Sequence, residues 1–140
     1  MRKLIVGVDA SRNRSGGAEA YLIGILSELN PIDFGINEIH LWAPDTLLNK
    51  LENYKWLTKH SSKELQQSLI KQIWWQSTIL SHEAKSIGCD IMFATDASTL
   101  CRFKPMIVLS QDMLSYEPGA MRRYGFSKLR IRLLAIFFIQ

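Results

Sequence analysis

A chain of 140 residues supports one domain with a single hydrophobic core. Its hydrophobic fraction of 47% and charged fraction of 21% exclude an intrinsically disordered chain. Net charge is +4, but Arg122, Arg123, Lys128, Arg130 and Arg132 place five positive charges within eleven residues; the remainder sums to about −1, a local patch and not a nucleic-acid-binding surface.

The chain opens with the β-formers Leu4, Ile5, Val6 and Val8, with Gly7 among them. A polar loop turns at Ser15-Gly16-Gly17, and Ala18, Tyr21, Leu22, Ile25, Leu26 and Leu29 then fall on one helical face. Strand, glycine turn and amphipathic helix form the first half of a βαβ unit. Paired glycines let a ligand approach the main chain and permit positive φ. The unpaired amides and dipole at the helix start suit an anion such as a phosphate. A tight turn without a ligand accounts for the glycines equally well. Neither the dinucleotide fingerprint nor a P-loop is present.

Asn30-Pro31 and Gly35 end this unit, and Glu38–Ala43 is predicted as a second strand closed by Pro44. Asp45 is placed to cap a short helix over Thr46–Glu52, and Lys55–Thr58 reads as a brief third strand. A long helix is predicted from Ser61 or Ser62 to about Ser86, stopped by Gly88. Its apolar stripe is Leu65, Leu69, Ile73, Leu80, Ala84 and Ile87, widened by Ile70 and Trp74. Of the Trp74-Trp75 pair, one side belongs in the core; the pair could also serve as a binding platform. Cys89–Thr95 and Met106–Ser110 have buried-strand character.

Strands alternating with helices predict an α/β fold, a Rossmann-like, open, mostly parallel sheet with helices on both faces. Ligands of such folds bind beyond the carboxyl ends of the strands. The polar segments Asp9–Gly17, Thr95–Thr99 and Ser110–Pro118 are therefore expected to meet on one edge. Cys89, Cys101, His40, His60 and His82 are scattered without metal-ligand spacing and read as structural, in a reducing cytoplasm. No signal peptide is visible, because only Leu4-Ile5-Val6 follow Arg2-Lys3 before Gly7.

Ser127 is placed to cap a predicted helix over Lys128–Gln140, rich in Leu, Ile and Phe but too short to span a bilayer, which takes about 20 apolar residues. The pattern stops in mid-helix, so the sequence reads as a piece of a longer protein. The basic residues of this tail suit either a solvated helix face or contact with anionic lipid headgroups or a lipid-pyrophosphate acceptor; the apolar end suits a neighbouring domain.

The run V-G-V-D-A-S-R-N-R-S-G-G-A-E-A-Y-L-I-G-I-L resembles the opening of retaining GT-B glycosyltransferases of the group 1 type. Cys89–Thr95, Pro105–Met113 and Tyr116–Ser127 resemble later segments of the same amino-terminal domain, whereas the stretch from Pro31 to Ile87 carries little resemblance. The resemblance implies the acceptor-side half of a two-domain enzyme. The other half, absent from this sequence, would bind the nucleotide-sugar donor and supply an E-x7-E signature. It also implies a glycan or lipid-linked acceptor, a role in bacterial surface polysaccharide synthesis, and a chain inactive by itself. No metal or other cofactor is implied, and a peripheral contact with the inner face of the membrane is consistent with the tail.

By the same resemblance, Gly16 and Gly17 match the loop that faces the donor diphosphate. Asn13 and Arg14 share that loop and could touch acceptor or phosphates; simple contact with water at the surface explains them equally well. Gln111-Asp112 stands where many members have His-Asp. Gln111 cannot act as a base at neutral pH but can hydrogen-bond a sugar, and Asp112 either accepts a bond from an acceptor hydroxyl or caps a turn. Retention needs no protein base if the leaving diphosphate takes the acceptor's proton on the same face. Two other classes stay open: a non-catalytic α/β module binding a phosphate or nucleotide at Gly16-Gly17, and a domain whose tail docks a partner.

Overall fold

A computed structural model of the chain describes residues 3–13, 16–97 and 99–109. Arg14, Gln111, Asp112, the segment Ser110–Pro118 and the basic-apolar tail lie outside the described residues.

The β-branched run at the amino end forms β1 (Leu4–Asp9), and its alternation decides which side chains face which layer. Val6 and Val8 join a core with Leu22 and Leu26 of α1 (Gly16–Glu28). Gly7 and Asp9 point the other way. A Cβ on Gly7 would lie 3.0 Å from Met92 Cε and 3.2 Å from Trp42 Cζ3. Glycine here serves close packing and not a special dihedral.

Among the described residues, β1, β2 (Ile36–Trp42), β3 (Leu57–His60), β4 (Ile91–Ala94) and β5 (Met106–Val108) form one sheet of order β3-β2-β1-β4-β5. All four pairings are parallel. The predicted α/β, Rossmann-like open sheet is thus present, with apolar cores on both faces. One face carries α1 and α2 (Asp45–Leu48), which contributes Leu47 and Leu48. The other carries α3 (Leu69–Ile87), which packs Trp75, Leu80 and Ala84 against Trp42 and Met92.

Several expectations need adjustment. Asp45 is the first residue of α2, with Pro44 at the cap position, so it does not cap from outside. The third strand starts two residues later than predicted, which brings His60 into the sheet. The long helix is not continuous from Ser61 or Ser62. A 3-10 turn over Lys63–Gln66 ends at Gln67, whose backbone is extended, and the Gln72 amide donates to the Gln67 carbonyl at 2.7 Å, holding the break. Gly88 does stop α3, at φ 89° in the left-handed region.

The helix faces also differ from the apolar stripes. Leu69, Ile70 and Trp74 are exposed, while Gln72, Trp75, Gln76, Leu80, Ser81 and Ala84 are buried. The interior beneath the first half of α3 is polar, because β1 ends there in a buried carboxylate, so Gln76 turns inward. On α1, Tyr21 and Ile25 are exposed while Glu19 is buried. Lys50 Nζ meets Glu19 Oε2 at 2.5 Å, which makes burial of that acid tolerable.

Candidate functional site

In the observed strand order the connections diverge at β1 and β4. The chain leaves β1 through α1 toward β2, and it enters β4 from α3 on the opposite face. Beyond the carboxyl ends of these two strands lies the switch point, where open α/β sheets usually have their ligand crevice; here the two loops are bonded to each other. Two of the three polar segments, following β1 and β4, do meet on this edge; the third lies outside the described residues.

The crevice floor is a polar network around Asp9, which is 3% exposed. One carboxylate oxygen accepts from the Ser11 amide at 3.2 Å and the Ser11 hydroxyl at 2.6 Å. The other accepts from Gln76 Nε2 at 2.7 Å and Thr99 Oγ1 at 2.8 Å. Gln76 Oε1 in turn accepts from the Leu100 amide at 3.2 Å. A buried charge is costly unless its lone pairs are met, and here four donors meet them. The consequence is positional: both loops and α3 are tied to the end of β1.

Asn13 is also buried. Its Oδ1 accepts from Thr95 Oγ1 at 2.8 Å, and its backbone amide closes a turn onto the Ala10 carbonyl at 3.0 Å. The side chain is committed to joining the two loops. Above it, Arg12 Nε faces Asp96 Oδ2 at 3.7 Å across the crevice.

Gly16 and Gly17 are the first two residues of α1 and exposed, and among the described residues no other part of the chain comes within 4 Å of where a Cβ would stand. Neither has positive φ, so the conformational freedom that the turn reading allowed is not used. On the same edge, beyond the end of β2, Pro44, Asp45, Thr46, Leu65 and Gln66 line a recess of about 420 Å³. Asp45 there accepts bonds from Ser61 and Gln66.

The sequence reading missed the pairing of two histidines. Parallel register sets Trp42 beside His60 and His40 beside Thr58. His40 Nδ1 then lies 2.8 Å from His60 Nε2, and the rings stack at 5.1 Å between centroids. His40 Nε2 reaches Glu38 Oε1 at 3.2 Å. With that nitrogen donating to Glu38, a neutral His40 carries its lone pair on Nδ1, so His60 Nε2–H is the donor between the rings. Burial, and then His40, holds His60 below the ordinary imidazole pKa, against the opposing pull of Glu83 and Glu38. No signal in a single sequence marks this pair, since it depends on strand register.

Among the described residues no group of three or more His, Cys, Asp or Glu side chains could hold a metal ion. Burial pushes the Cys89 thiol up to about 11 and raises that of Cys101, which leaves both as poor nucleophiles. No helix among the described residues is long and apolar enough to cross a membrane.

Strand order and crevice together define a Rossmann-like α/β domain. No family model, curated protein or solved structure matches the chain.

Proposed function

We propose that this chain is the acceptor-side domain of a retaining GT-B-type glycosyltransferase, acting on a nucleotide-sugar donor and a glycan or lipid-linked acceptor in bacterial surface polysaccharide synthesis. One observation carries the reading: the exposed Gly16-Gly17 start of α1 stands at the β1/β4 switch point. Backbone amides at a helix start suit a diphosphate. The polar floor anchored by Asp9 ties Ser11, Gln76 and Thr99 together beside it. The recess beside Asp45 and Gln66 gives an acceptor room on the same edge.

On this reading a second α/β domain grips the nucleotide, and the 140-residue chain alone transfers no sugar. The chemistry asked of this half is positioning and charge screening, with the leaving diphosphate taking the acceptor's proton. Titration of the ¹⁵N-labelled chain with nucleotide sugars tests it. The amides of Gly16 and Gly17 should shift together with those of residues 11–13. Shifts confined to other parts of the sheet would reject the assignment.

A further inference from the structure

The outward side of α3 carries a stripe that the fold does not use. Its exposed residues Ile70, Lys71, Trp74, Thr78, His82 and Lys85 follow one another at helical spacing. Ile70 is 79% exposed, and Leu69 at the helix start 57%, so with Trp74 large apolar side chains gather at one end of the stripe. A single exposed leucine needs no explanation, whereas adjoining ones mark a contact surface. The charges here have one sign. Lys71 and Lys85 lie on the stripe, the sequence has no Asp or Glu from Leu65 to His82, and Glu83 turns to the sheet, accepting from Trp42 Nε1 at 2.8 Å. Exposed Arg102 borders the same helix, its amide donating to Ser81 Oγ at 3.0 Å. Glu64, on the preceding 3-10 turn, accepts from Ser62 and feels the charges of Lys63 and Lys71. Two hydroxyls beside Trp74 are met within the helix: Ser77 and Thr78 donate to the Trp74 carbonyl at 3.0 and 2.6 Å. They can leave water without losing a partner.

We propose that this stripe docks the protein on the surface of a bilayer containing anionic lipid. Leu69, Ile70 and Trp74 enter the boundary between headgroups and acyl chains, where an indole is favoured, and the lysines extend their charges to the lipid phosphates. Trp75, buried on the opposite side of the helix, keeps α3 on the sheet while its neighbour faces out. Charge selects lipid over a second copy of the chain: two such stripes face to face would set lysine against lysine, whereas anionic headgroups neutralise both. The inference goes beyond the glycosyl-transfer reading and does not depend on it.

Cosedimentation of the full chain with vesicles of phosphatidylcholine, with and without phosphatidylglycerol, tests it at fixed ionic strength. The chain should bind the phosphatidylglycerol vesicles and release them as salt rises. Ile70→Ser combined with Trp74→Ser should weaken binding roughly tenfold or more, the loss of two inserted apolar side chains. Lys71→Gln combined with Lys85→Gln should weaken it by about tenfold on phosphatidylglycerol and leave phosphatidylcholine unchanged. Trp74→Phe should still bind, but the part of the tryptophan emission that brominated phosphatidylglycerol quenches should be lost with it. All these positions are exposed, so dispersed amide spectra should persist and confirm folding. Unaltered vesicle binding by the Ile70→Ser, Trp74→Ser variant would overturn the proposal, since another surface, such as the basic tail, would then carry it. Absence of vesicle binding by the parent chain would overturn it as well, as would lipid-free self-association that the same double variant abolishes, which assigns the stripe to a second copy. Failure of the function reading alone looks different: vesicles then bind through α3 while nucleotide sugars leave Gly16 and Gly17 unmoved.

Discussion

The Asp9 carboxylate and the Gln76 side-chain amide, 67 residues apart in the chain, meet at 2.7 Å in the buried interior where β1 ends against α3. This contact, with the Ser11 and Thr99 hydroxyls on the same carboxylate, makes one polar cluster out of β1, α3 and the two crevice loops. Asp9→Asn puts an amide hydrogen-bond donor where only donors converge. The expected cost is about 1–3 kcal/mol, read as a lower urea midpoint with unchanged slope. Asp9→Asn should also broaden the amides of Ser11 and Leu100, because their loops lose a common anchor. An unchanged midpoint would mean that the carboxylate is not the anchor.

Gly7 and Gly16 make opposite demands. Gly7→Ala inserts a methyl against Met92 and the fully buried Trp42, and should destabilise by about 1–3 kcal/mol. Gly16→Ala enters open space and should alter stability by no more than about 0.5 kcal/mol. Thermal melts of the two variants separate a packing requirement from a free position; equal losses would contradict the arrangement around β1.

Neighbouring tryptophans on α3 differ in the same way. Trp75 is 0% exposed and Trp74 is 55% exposed. Trp75→Ala should cost about 3–5 kcal/mol, whereas Trp74→Ala should be close to neutral in chemical denaturation. Iodide should quench the Trp74 emission and spare that of Trp75, measured in variants where the other tryptophans are phenylalanine.

The His40–His60 pair should make stability fall in mild acid. His60 has a folded pKa below the unfolded value of 6.5, so the unfolded chain binds the extra proton first. The associated stability is complete above about pH 6.5 and declines as pH drops toward the folded pKa. The charged groups that oppose this, Glu38 from β2 and Glu83 from α3, narrow the window without reversing it. His60→Phe should flatten the pH dependence of the urea midpoint between pH 7 and 5, and a slope identical to the parent protein would refute this role.

Much of the fold could be read from local pattern. The run Leu4–Val8, the strands within Cys89–Thr95 and Met106–Ser110, and the stop at Gly88 all report local backbone preferences, but β5 lacks the buried-strand character predicted for it, since Ile107 and Val108 are exposed. Helix faces were less legible. Tyr21, Ile25, Leu69, Ile70 and Trp74 satisfy an apolar stripe yet stand in solvent, while Glu19 and Gln76 are inside. Apolar periodicity measures hydrophobicity alone, and it has no means of knowing that Lys50 or Asp9 waits beneath the helix as a polar partner. The break at Gln67 escaped for a similar reason, since it is held by a side chain five residues away.

By itself, then, the order of residues determined the alternation of strands and helices, the glycines at the start of α1, and hence a parallel sheet with a polar edge. Only the tertiary structure decided which buried polar groups meet there, that Arg12 faces Asp96, and that His40 lies against His60. Secondary structure follows from contacts close in sequence. The site depends on strand register and on which loop crosses to which face, and these are set by packing between segments dozens of residues apart.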